Sequence, residues 1–181
     1  MTLKKEKCKF ARSEVKFMGR IVSVAGINLD PDKVKAILEL ELSWNKPEGK
    51  RFTAMVNYLS RFCAKLAELC MPIYAVTGNK HHWYWGEDQK QASEEVKLEI
   101  FKALVLSAFD IRKPHRVLAS AGNNAFGAVL LQLNENLWQH VVYASRKLSD
   151  AETRYAMNEK EALAATWACK QFDYYLVGRK F

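Results

Sequence analysis

The spacing of apolar positions changes along the chain, and each change marks an element. Over residues 14–24, EVKFMGRIVSV forms two short β-prone runs on either side of Gly19 and predicts a hairpin, which Ala25-Gly26 then breaks. Asp30-Pro31-Asp32 supplies a cap, a proline for the first helical position and an acid for the first turn. With Val34, Ile37 and Leu38 at helical spacing, it predicts a helix over residues 31–42. After a connector at 44–49, Phe52, Met55, Val56, Leu59, Phe62, Cys63 and Leu66 recur in steps of three and four as one helical face ending near Met71-Pro72. Residues 78–86 read as a loop whose Trp83, Tyr84 and Trp85 either stack on bases or, more often for such a cluster, plug a core beside the loop, and residues 87–106 read as a helix with Ala92, Val96, Ile100, Ala103 and Leu104 on one side.

Beyond that point the period shortens to that of strands. Residues 115–119, 125–133 and 137–145 are β-prone and are split by Gly122-Asn123-Asn124 and Asn134-Glu135-Asn136, so they predict three antiparallel strands in a meander. Ser149 or Asp150 can cap a last long helix presenting Ala162, Leu163, Thr166, Cys169, Phe172 and Leu176 before Gly178. The fold class is therefore α+β, a β-hairpin and helices followed by three antiparallel strands plus a helix.

Composition narrows the partner. The 181 residues carry a formal net charge of +8, which favours a polyanion over an acidic small molecule. Residues 1–20 hold Lys4, Lys5, Lys7, Lys9, Arg12, Lys16 and Arg20 against Glu6 and Glu14. Such a segment is expected to bind phosphates without reading sequence, so that binding weakens with salt. Cys8, Cys63, Cys70 and Cys169 are scattered without a CxxC, no signal peptide is recognisable and no apolar run reaches membrane length. Reduced thiols in an intracellular chain, cytoplasmic or nuclear, follow as the expectation. Cys63, Cys70, His81 and His82 match no zinc-finger spacing, and a separation of seven puts both cysteines on one helical face as core residues, so no metal site is expected from them.

Five blocks in order resemble Gypsy-type LTR retrotransposon pol polyproteins: KCKFARSEVKFMGRIVSVAGINLDPDKVKAI at 7–37, MVNYLSRF at 55–62, WYWGEDQ at 83–89, GAVLLQ at 127–132, and YASRKLSDAETRYAMNEKEALAATWACKQFDYYLVGRKF at 143–181. The resemblance implies the end of a reverse transcriptase running into a truncated RNase H-like domain. Residues 1–30 would be the basic palm end, with Phe17, Met18, Gly19 and Arg20 similar to a primer grip. Residues 31–78 would be a helical thumb-like segment, and 79–181 a connector helix and the RNase H-like part. No YxDD-like aspartate pair is present, so polymerisation by this chain alone is excluded, since two-metal phosphoryl transfer needs those carboxylates.

RNase H chemistry in that family uses magnesium held by three acids. By the resemblance the first-strand aspartate falls at Ser120, within Ala119-Ser120-Ala121-Gly122-Asn123-Asn124, while Glu161 of the EKE run matches the helix acid. The third acid lies beyond the GRxF motif at which this chain ends. Phe52-Thr53-Ala54 and Ser93 depart further from the family pattern. The expectation is a broken, catalytically dead retroelement piece with residual RNA/DNA hybrid or duplex binding, no cofactor of its own and no membrane association. Two alternatives stand beside it: a fragment of an active pol polyprotein completed by the rest of that protein, and a domesticated protein-interaction module.

Overall fold

The computed structural model describes residues 8, 10–40, 45–63, 65–78, 82–103 and 105–181. Lys4, Lys5, Lys7, Lys9 and His81 lie outside them.

The predicted hairpin is β1 (Glu14–Phe17) and β2 (Arg20–Ser23), closed by a two-residue turn in which Met18 (φ 47°) and Gly19 (φ 68°) are both left-handed. Such turns twist with the strands they join. A third strand, β3 (Gly26–Leu29), pairs antiparallel with β2, so Gly26 does not end the sheet as its sequence context suggested. At φ 131°, a Cβ on Gly26 would stand 2.3 Å from the Leu106 carbonyl oxygen. Glycine is needed there because a distant segment approaches.

Helix α1 (Pro31–Leu38) is capped by the Asp30 side chain and is shorter than predicted, with Glu39 as its C-cap. Asn45 caps α2 (Lys46–Leu59), whose helical conformation begins before the apolar run and ends inside it. A 3₁₀ turn at Ser60–Phe62, α3 (Leu66–Leu69) and α4 (Met71–Thr77) take over, with Pro72 in the first turn of α4 rather than at a helix end. The apolar face survives these breaks: Phe52, Val56, Leu59, Phe62, Cys63 and Leu66 all enter one core with Val96 and Ile100 of α5 (Glu87–Phe101). Helix α5 stops short of the predicted 106 because residue 106 is extended, exchanging Ile27 N–H to Leu106 O (2.7 Å) and Leu106 N–H to Ile27 O (3.0 Å) with β3.

The predicted meander is β4 (His115–Ala121), β5 (Ala125–Asn134) and β6 (Leu137–Lys147), antiparallel in that order with an irregularity at Leu130/Leu131. Ser149 caps no helix, its Oγ accepting the Glu152 N–H at 3.3 Å where a 3₁₀ turn (Glu152–Arg154) starts, and α6 (Met157–Gln171) begins later than predicted; its Glu159 carboxylate accepts the Ala156 N–H at 2.9 Å. The face of α6 is also rotated from expectation. Ala164 and Ala168 are buried with Leu163 and Trp167 beside them, whereas Ala162 and Thr166 are exposed. Small side chains at a spacing of four let the helix lie close on Phe126, Ala128 and Leu130 of β5. A short α7 (Asp173–Leu176) adds Leu176 to the same core.

The second face of this sheet is covered as well, by α3 and the 3₁₀ turn at Ser60–Phe62 against β5 and β6. Between the two sheets, residues 106–110 form a stitch. Ser107 donates to His140 O at 2.7 Å, and the buried Gln132 side chain donates to Ser107 Oγ (3.0 Å) and Ala108 O (2.7 Å) while accepting from Asp110 N–H (2.9 Å).

Candidate nucleic-acid interface and RNase H-like site

Strand β4 presents alternate side chains to opposite faces of the sheet. Val117 and Ala121 pack toward α6. Leu118 and Ser120 therefore face the other way, into a depression of about 250 Å³ that Lys65 and Glu68 of the α3 segment also line, together with Gly127 and Ser145. The Glu68 carboxylate lies 3.9 Å from where a Gly122 Cβ would stand, and Ser145 Oγ accepts the Ala67 N–H at 3.4 Å. Sequence reasoning missed Lys65 and Glu68, for they come from over fifty residues upstream and carry no motif.

Glu161 is exposed on the second turn of α6 and does not line that depression. Its neighbour Lys160, only 5% exposed, donates to the Asn123 carbonyl at 3.3 Å and so ties the start of α6 to the β4–β5 turn that follows Ser120. Among the described residues, no group of three His, Cys, Asp or Glu side chains converges to hold a metal ion. Cys63 and Cys70 do not share a helix as predicted, since the first follows the 3₁₀ turn and the second joins α3 to α4. Both are buried, and burial pushes both thiols up to about 12.

The basic hairpin is only partly available to a polyanion. Phe17 and Met18 are exposed at the tip, where the Tyr58 hydroxyl donates to the Met18 carbonyl and closes over Gly19. Lys16 is paired with Asp30 (2.8 Å) and Asp32 (2.6 Å). The Asp30 carboxylate, then Asp32, raises the Lys16 pKa, and Lys16 lowers that of Asp30, so both stay charged but mutually neutralised near pH 7. The Arg20 guanidinium lies 5.8 Å from the Phe62 ring centroid. Arg12 is exposed. Of the loop aromatics, Trp83 and Trp85 stack at 5.6 Å and Trp85 packs on the helical core, while Tyr84 is exposed.

The connection between β6 and α6 is held by Arg146. Its guanidinium lies over the rings of Phe126 (4.7 Å) and Trp167 (5.6 Å) and makes two bonds to Glu152, of 2.8 and 2.7 Å. That pairing, with the Ser149 N–H, holds the Glu152 carboxyl down at about 2.

Comparison with known proteins identifies the family and the fold. Residues 85–181, more than half of the chain, match the profile of the RNase H-like domain found in reverse transcriptase. The retrovirus-related Pol polyprotein from transposon 297 of Drosophila melanogaster is 32% identical over 185 residues, all of this chain and 17% of that protein. The transposon Tf2-3 polyprotein of Schizosaccharomyces pombe is 31% identical over 177 residues, 97% of this chain and 13% of that protein. The chain thus spans about a sixth or less of these relatives. In fold it is similar to foamy viral protease-reverse transcriptase solved in complex with double-stranded DNA (dRH form; TM-score 0.80, 19% identity, 93% of this chain and 30% of that one). It is likewise similar to the same enzyme solved with RNA/DNA hybrid (TM-score 0.79, 19% identity, 93% and 23%).

Proposed function

The chain belongs to the RNase H-like domains found in reverse transcriptases, and from that premise we propose that it is a catalytically silent reverse transcriptase/RNase H-like unit that holds nucleic acid without cutting it. The observation that carries the silence is Ser120. It stands where the resemblance puts a first-strand aspartate, in a depression that Lys65 and Glu68 also line. A neutral, weakly donating oxygen with a single carboxylate, Glu68, in the same depression is a poor seat for a pair of hard dications. The residues present therefore do not fit a pair of magnesium ions, and no step is written through them. Glu161 does not line that depression, and Glu68 as its single carboxylate cannot position two metals about 4 Å apart.

Support for binding comes from the net charge of +8 and from the fold shared with an enzyme solved on double-stranded DNA and on RNA/DNA hybrid. The lysines at positions 4, 5, 7 and 9, with Arg12 and the Phe17–Arg20 turn, are the contacts this reading favours for duplex or hybrid. A second reading, a piece of an active pol polyprotein, is favoured by one observation: the chain covers only 17% of a relative that is such a polyprotein.

One experiment tests the silent reading. The purified chain is incubated with an RNA/DNA hybrid and magnesium or manganese while binding is followed by fluorescence anisotropy across salt concentrations. Salt-dependent binding without cleavage is the expected result, and Ser120→Asp alone restores no turnover. Metal-dependent cleavage that disappears in Glu161→Gln refutes the silent reading.

A further inference from the structure

A second basic site lies at the opposite end of β4 from Ser120. Between the β2–β3 turn and the β5–β6 hairpin, a cavity of about 1010 Å³ is lined by Arg112, Lys113, Arg179, Asp110, Asn134 and Tyr174. We propose that this cavity is a phosphate-binding site that takes a backbone phosphate of the nucleic acid; this rests on the nucleic-acid-binding reading above and adds where on the RNase H-like half the phosphate is held.

The charge balance is the first argument, with three cations around a single carboxylate. Asp110 is already committed, since Arg112 binds it through both side-chain oxygens at 3.1 and 3.0 Å and holds its carboxyl at about 2. Lys113 donates to the neutral Asn134 amide oxygen at 2.6 Å, so its charge is oriented but not neutralised. Arg179 makes no ion pair among the described residues. Its guanidinium lies 5.1 Å from the Phe109 ring centroid, and its Nη1 is shielded from solvent without an acceptor. An unpaired guanidinium with an unsatisfied N–H is costly, and a planar fork of donors suits the tetrahedral oxygens of phosphate.

The cavity is also preorganised. Phe109 is gripped by His115 (4.8 Å) and Tyr175 (4.9 Å), and its chain neighbours on either side are bonded to Gln132. The ring on which Arg179 rests is therefore fixed from both directions. Tyr174, 90% exposed at the rim, offers a flat aromatic surface beside the cations, which suits a nucleotide better than a peptide carboxylate.

The test uses the full chain and two probes, inorganic pyrophosphate and a fluorescent 20-base-pair B-form DNA duplex. In ¹H–¹⁵N spectra, pyrophosphate should saturably shift the Arg179 Nε–H and the amides of 110–113, and Arg179→Gln with Lys113→Gln should abolish those shifts. The same pair should lower the salt slope of duplex binding by about 0.9, for the one phosphate that is no longer neutralised. Arg179→Lys keeps the charge and should retain part of the slope, and Lys113→Gln alone provides a readout if Arg179 variants unfold. Saturable pyrophosphate shifts without any duplex binding would leave the site standing and overturn the nucleic-acid reading. Duplex binding with an unchanged slope and unmoved 110–113 resonances would overturn the site and leave that reading intact. Shifts spread over all basic residues without saturation, or resonances here moved by an acidic peptide and not by pyrophosphate, would also overturn it.

Discussion

Replacing Gln132 by leucine should loosen the junction between the two sheets more than an average core substitution does. Gln132 is 1% exposed, and its amide makes three hydrogen bonds to residues 107–110, at 3.0, 2.7 and 2.9 Å. Leucine nearly preserves the volume, so the loss isolates those bonds. At about 1 kcal/mol net for each, the change should cost roughly 3 kcal/mol, and up to about 5 if the Asp110 N–H and Ala108 carbonyl are left buried and unpaired. Ser107→Ala removes only the hydroxyl end and should cost about 1 kcal/mol. Urea unfolding monitored by tryptophan fluorescence gives the free energies, and native-state hydrogen exchange at the 107 and 110 amides shows where protection is lost. A loss below about 1 kcal/mol for Gln132→Leu, or exchange rates at 110 unchanged, would refute the claim that this side chain staples the linker.

Two further outcomes follow from the packing. Because Arg146 holds the folded Glu152 carboxyl at about 2 against an ordinary 4.5, its stabilisation is present above pH 4.5 and is lost as pH falls toward 2; with solvent screening it is worth on the order of 1 kcal/mol. Glu152→Gln should flatten that acid limb in pH-dependent thermal unfolding, and an acid limb unchanged in the variant would count against the pair. Strand β4 bonds only to β5 among the described residues, so its outward amides at 116–119 should exchange faster than those of α2; equal, strong protection would mean that a second chain or further segment pairs with that edge.

What was legible in the chain was whatever depends on neighbours close in sequence. The run from Phe52 to Leu66 shows its buried face through spacing alone, even though the backbone changes from α to 3₁₀ and back within it. The meander was legible because its turns carry Gly122-Asn123-Asn124 and Asn134-Glu135-Asn136, and Glu135 and Asn136 do adopt left-handed φ. Long-range demands were not. Strand β3 was hidden because Gly26 looks like a breaker until Leu106 is seen against it. The face of α6 was misread because apolar spacing weighted Thr166 and Cys169 over Ala164 and Ala168, and only proximity to the sheet explains why alanine is preferred there. For the site, family resemblance pointed to Ser120 and Glu161, but Lys65 and Glu68 enter through the packing of α3 on the second sheet, which no local pattern encodes.

That packing bears directly on how such a chain can hold a duplex. Helix α6 covers one face of the β4–β6 sheet, and α3 with the adjoining 3₁₀ turn covers the other, leaving at Ser120 a depression of only about 250 Å³. Leu118, Ala119 and Ser120 stay exposed at that depression, with Lys65 and Glu68 along its wall. On the proposed reading, nucleic acid is held by the basic hairpin and by the cations around Arg179, at a distance from Ser120. Lys113 and Ser120 are separated by seven residues of mostly extended chain, roughly 23 Å at 3.3 Å per residue. Sites that far apart without shared partners should respond independently to mutation. Changes at Ser120 should accordingly leave the salt slope alone, and changes at Arg179 and Lys113 should alter binding without creating or destroying any cleavage.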